Sequence, residues 1–118
     1  MKVYIVGDCG PEHDSVIGIY ANKEKALIAF HEHRLSLLAN AKRGLESSKK
    51  DAKDRVAKGF WFDGEKISDE SMVHFKREAE FGDDMYLEMI KNLSEEDPEK
   101  MNNYPQETPY LREQEVIE

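Results

Sequence analysis

Cys9 and His13 stand four positions apart in one polar stretch, and His31, Glu32 and His33 are adjacent further along. Thiolate, imidazole and carboxylate are the side chains that hold zinc and related ions, so a metal centre is the first chemistry to test. On a helix of about 100° per residue, His31 and His33 face some 200° apart and cannot grip one ion, since shared ligation needs i,i+3 or i,i+4 spacing. The only remaining set is Cys9, His13, one helix histidine and a carboxylate, assembled only if the loop folds over the start of the helix. The expectation is therefore no metal and no cofactor. Cys9 near a histidine is also the pairing of a thiol nucleophile, but catalysis needs a base within hydrogen-bond reach and an oxyanion pocket, neither of which sequence supplies. The segment Gly7-Asp8-Cys9-Gly10 lacks both the Walker lysine and the GxGxxG spacing of phosphate loops. No catalytic residue is assigned, and the chain is not expected to be an enzyme.

Two further features invite binding rather than catalysis. Arg34 falls in the middle of an apolar helical stripe, where a guanidinium must snorkel, pair with a carboxylate or line an anion pocket. With His13 it forms the candidate polar lining of a small-ligand or nucleotide pocket between hairpin loop and helix. The run Phe60-Trp61-Phe62 resembles a base-stacking platform in composition, yet such platforms sit in basic grooves and this one opens an acidic region. Core or interface packing is the better reading. If its neighbours pack inward, Trp61 has the character of an interface anchor.

The charge of −8 is unevenly spread along the chain. Residues 1–59 hold 11 Lys and Arg against 8 Asp and Glu, whereas residues 60–118 hold 6 against 17. The second half repels nucleic acid and suits a basic partner, or a protein that itself handles nucleic acid. Candidate partner-binding residues are Trp61 with Asp83, Asp84, Glu88, Glu95 and Glu96.

The elements that must position these groups follow from periodicity. Val3 and Ile5, then Val16, Ile17, Ile19 and Tyr20, read as two antiparallel strands joined by a polar loop from Asp8 to Asp14. Asn22 is an N-cap, and a helix starting at Lys23 gathers Ala26, Leu27, Phe30, Leu37, Leu38, Ala41 and Leu45 on one stripe. Ile28, Leu35 and Ala39 form a smaller apolar face that needs its own cover, from the acidic half or a second copy of the chain. Gly44, Ser47 and Ser48 weaken the helix before a solvated extension that ends at Gly59, with Glu46–Lys50 and Asp51–Arg55 as i,i+4 pairs. Asp63-Gly64 marks a small turn. Ser68 caps a helix that Gly82 ends, and Tyr86, Met89, Ile90 and Leu93 belong to another. Residues 94–109 read as a flexible loop, and 110–117 as a weak strand.

At 118 residues this is expected to be one small domain, with segments 1–59, 60–93, 94–109 and 110–117. The class is α+β, a β-β-α-β core with a helical acidic elaboration. No apolar run is long enough to cross a bilayer, the chain enters a strand pattern at once, and Cys9 has no internal partner, so a cytoplasmic protein is expected.

The block Lys2 to Val6, Val16 to Tyr20 and Lys23 to Ala26, with Tyr110 to Glu115, resembles a group of small phage and prophage proteins. These begin with KVYIV, IIGIY and KEKA segments and end in an acidic strand. The resemblance implies a last strand that returns to the hairpin, and a place in the host cytoplasm. It carries no activity. The leading expectation is a phage-type accessory protein that occludes a basic site on a host protein, such as a CRISPR nuclease of the host's defence. It would touch neither nucleic acid nor membrane. A small-ligand protein and a phage assembly component are the alternatives.

Overall fold

The computed structural model describes residues 1–10, 13–101 and 108–117. Its architecture is α+β, a three-stranded antiparallel sheet with a long helix and two shorter ones. The chain divides into two compact units, Met1–Ala39 together with the chain from Met89 onward, and Asn40–Glu88.

In the first unit, β1 (Lys2–Cys9) lies between β2 (Asp14–Tyr20) and β3 (Thr108–Glu115), both antiparallel to it. The last strand returns to the hairpin. Val6 pairs with Gly18 on one side and Leu111 on the other, and the face they share packs against Ala26 and Phe30, with Tyr4 and Tyr20 beside them. The strands run further than their apolar pattern does, because the ladder continues through Asp8↔Ser15 to Cys9↔Asp14. The strands thus reach into the expected loop from Asp8 to Asp14, of which residues 11–12 lie outside the described ones, and the Gly10 amide donates to the His13 carbonyl at 2.9 Å. Likewise β3 begins at Thr108 rather than Tyr110, with Thr108 and Pro109 buried against the end of β1. The loop expected over 94–109 contains a 3-10 turn at Pro98–Lys100, and its residues 102–107 lie outside the described ones.

Helix α1 (Lys23–Lys58) starts where Asn22 Oδ1 accepts the amides of Glu24 and Lys25 at 2.8 and 3.2 Å. Its stripe of Ala26, Phe30, Arg34 and Leu37 is buried, while Ile28 and Leu35 on the reverse side stay exposed.

In the second unit, α1 runs unbroken through Gly44. The glycine is a packing site: a Cβ there would lie 2.6 Å from Cζ of Tyr86. The segment expected to be solvated has one packed side, since Ala52 is buried and Ser48 Oγ both donates to the Leu45 carbonyl and accepts the Asp83 amide. Gly59, at φ +74°, ends the helix, and a small hairpin bridges Phe60 to Lys66 around Gly64. Helix α2 (Asp69–Phe81) is capped by Ser68 and closed by Gly82, as the capping residues predicted. Helix α3 (Asp84–Leu93) follows at once, its Met85 amide held by Asp83 Oδ1. Among the described residues, no helix is long and apolar enough to cross a membrane.

Candidate functional site

Asp8 projects from the face of β1 that carries Val6, and its carboxylate is shared between two imidazoles. His13 Nε2 lies 2.8 Å from Oδ1 and His33 Nε2 lies 2.7 Å from Oδ2. A carboxylate only accepts, so both rings donate from Nε2. The contact with the helix is thus made at His33, well inside α1, and not at the helix start as a metal centre would require. The donors are also spent on the carboxylate between them. Among the described residues, no group of three or more His, Cys, Asp and Glu side chains is placed to hold a metal ion. His31 faces elsewhere, as the helical angle required, accepting from Arg34 and meeting the Phe30 ring edge-on at 5.1 Å.

The arrangement is a latch tying hairpin loop, strand and helix. Replacing Asp8 by alanine removes both bonds and is expected to lower stability by about 1–3 kcal/mol, read from urea unfolding. An unchanged midpoint would mean that the latch holds nothing.

Arg34 neither snorkels nor meets a carboxylate in the bonds described. It is 6% exposed, its Nη1 donates to the Leu93 carbonyl at 2.8 Å, and its Nε donates to His31 Nδ1 at 3.2 Å. Leu93 is the last residue of α3, so the guanidinium satisfies one of the carbonyls that a helix end leaves unpaired. The two residues proposed for a small-ligand pocket are therefore both engaged within the protein. A cavity of about 290 Å³ does exist in this unit, but it is lined by Tyr4, Lys23, Leu27, Asp97, Leu111 and Glu113 among others, and by neither Arg34 nor His13.

On the opposite face of the sheet, the Tyr110 hydroxyl donates to Asp14 at 2.8 Å, and Arg112 both stacks on the Tyr110 ring and bonds Asp14 at 3.2 Å. The Tyr110 bond above all holds the Asp14 carboxyl below its usual range. Burial, then the same bond, raises the phenol of Tyr110.

The second unit carries the exposed aromatic surface. Phe62 is 96% exposed and Trp61 38%, with Phe60 also exposed, so the neighbours of Trp61 do not pack inward. Trp61 instead leans edge-on against Phe75 at 5.4 Å, on the hairpin that Asp63-Gly64 turns. Arg55 does not take up Asp51; its guanidinium lies 3.4 Å from the centre of the Phe62 ring. Lys58 pairs with Asp54 and Lys49 with Glu46. These aromatics border a groove of about 480 Å³ whose lining also includes Asp51, Asp54, Arg55 and Glu78. A shallower depression beside it is lined by Trp61, Phe62, Asp63 and Glu65.

The other acidic candidates line neither the groove nor the depression. Asp84 is held bidentately by Arg77 at 3.0 and 3.2 Å, which lowers its carboxyl and raises the guanidinium. Asp83 caps α3, and Glu95 Oε1 accepts the Asp97 amide. Glu88 and Glu96 are exposed. Folding also redistributes the charge: residues 40–88 hold 10 Lys and Arg against 12 Asp and Glu, and the first unit 7 against 13. Sequence reasoning found Trp61 but missed Asp8 and Arg55, whose partners are a distant helix and a ring seven positions away. No family model, curated protein or solved structure matches the chain.

Proposed function

We propose that the protein acts by binding another protein, and that the groove beside Trp61 is where it does so. The observation that carries this reading is Phe62, an aromatic ring left 96% exposed next to Trp61 on a rim dominated by carboxylates. Arg55 lies against one face of this ring, and the rest of it stands in water, where it adds nothing to the core and serves once a partner covers it. Asp51, Asp63 and Glu65, with Asp54 and Glu78 beside their own partners Lys58 and His74, suit a basic segment, whose Lys or Arg side chains can lie on the rings while their charges face carboxylates. Occlusion of a basic, nucleic-acid-handling surface is the activity such a groove would serve, in keeping with a phage-type accessory protein, and it needs no catalytic step. The net charge of −8 opposes a direct grip on nucleic acid.

The chain has one tryptophan, so its fluorescence reports on this groove alone. Titration with a short Arg- and Lys-rich peptide is expected to shift Trp61 emission saturably, with about 10-fold weaker binding when Phe62 is replaced by alanine and a further weakening as salt is raised. No response, or an equal response to an acidic peptide of the same length, would overturn the proposal.

A further inference from the structure

The two edges of the sheet are built differently. The β3 edge carries Pro109 and the exposed charges Arg112, Glu113 and Glu115, the features with which proteins discourage strand addition. The β2 edge has no charged residue between Ser15 and Tyr20. It exposes three β-branched side chains there, Val16 at 57%, Ile17 at 49% and Ile19 at 63%. In a chain of charge −8 that must repel its own copies, this strand is an uncharged approach.

Its register makes it self-complementary. Tyr4 to Val6 pair with Tyr20 to Gly18, but Gly7 to Cys9 pair with Val16 to Asp14, so Ile17 is an extra residue, a bulge. Without a bulge, Val16 and Ile19, three apart, would point to opposite faces of the sheet. With it, Val16 lies opposite Gly7 and Ile19 opposite Ile5, both on the face away from Val6, while Ser15, Gly18 and Tyr20 share the face of Val6. A two-fold axis between Ile17 and Gly18 would then set Val16 across from Ile19 of a second copy, Ser15 from Tyr20 and Asp14 from Ala21. In the first two of these matches, both members point to the same face.

We propose that two copies of the chain pair antiparallel through β2 about this axis, joining their sheets into one of six strands. The partner is a second copy because the edge carries no charge from Ser15 to Tyr20 and matches itself in this register. Three partly exposed side chains and one strand of backbone bury less than the ~800 Å² per partner of a standard permanent interface, so monomer and dimer exchange with concentration.

Sedimentation velocity of the full chain from about 10 to 500 µM tests this, and a rising dimer fraction is expected. Val16→Lys with Ile19→Lys sets lysine against lysine at both cross-strand sites and is expected to leave the chain monomeric. Val16→Lys with Ile19→Glu sets lysine against glutamate and is expected to restore the dimer. The two double variants alter the same exposed positions, so their difference reads the pairing rather than the fold. A wild type that stays monomeric would overturn the proposal, as would a dimer that survives the double-lysine variant. Equal behaviour of the two double variants would overturn the register.

Discussion

Replacing Gly7 by alanine is expected to destabilise the protein by about 3 kcal/mol and to lower its melting temperature by about 10–15 °C. In an ordinary strand the same change stabilises, because alanine loses less backbone freedom on folding. Here a Cβ would run into the carbonyl oxygen of Ser15 and would lie 2.5 Å from the hydroxyl and 2.6 Å from Cζ of Tyr110. Neither neighbour can yield cheaply. The Ser15 carbonyl is backbone on the paired strand, and Tyr110 is held by its bond to Asp14 and by the Arg112 guanidinium stacked 3.9 Å from its ring centre. The register shift of the bulge also falls between Val6 and Gly7, so the close approach of Ser15 belongs to the geometry that places Val16 and Ile19 on one face. Adding Tyr110→Ala to Gly7→Ala should recover only part of the loss, because the clash with backbone remains. Urea unfolding of both variants measures this, and a Gly7→Ala protein as stable as the wild type would refute it.

The same contacts explain which parts of the fold were legible in the sequence. Asn22, Ser68, Gly82 and Asp63-Gly64 act within a few residues of themselves, and each does in the structure what its type implies. The alternating strands and the Ala26–Phe30–Leu37 stripe are equally local. The ends of β1 and β2 are not: Asp14 is fixed by Tyr110 and Arg112, 96 and 98 positions away, and no apolar pattern announces that. Gly44 looks like a helix weakness in the sequence because its partner, Tyr86, lies on another helix.

The candidate site divides in the same way. The aromatic run at 60–62 is conspicuous in the sequence, but which ring stays exposed depends on Phe75 supporting Trp61 and Arg55 taking one face of Phe62. The acidic half is a property of the linear chain. Folding sends Glu95 and Glu96 to one unit and Asp83, Asp84 and Glu88 to the other, and commits Asp83 and Asp84 to holding α3. The carboxylates that line the groove beside Trp61 are a different set, Asp51, Asp54, Asp63, Glu65 and Glu78, two of which lie outside the acidic half of the sequence.

Arg34→Met is expected to lower stability by about 2–3 kcal/mol, and the sign of that change decides what the arginine is for. Methionine fills much of the same space, so little cavity is left; the loss arises from the Leu93 carbonyl, which would remain buried at the end of α3 without its donor. A guanidinium there also sits at the negative end of the α3 dipole, a second stabilising term that methionine lacks. Arg34→Lys keeps the charge and one donor but not the planar fork that reaches Leu93 and His31 together, so it should fall between the two. A ligand-binding arginine would behave in the opposite way. A buried cation kept for an absent anion is a liability to the free protein, and replacing it with an apolar side chain of similar size commonly raises stability. A midpoint of urea unfolding above that of the wild type would therefore return Arg34 to the list of binding residues, whereas a fall fixes it as the cap of α3.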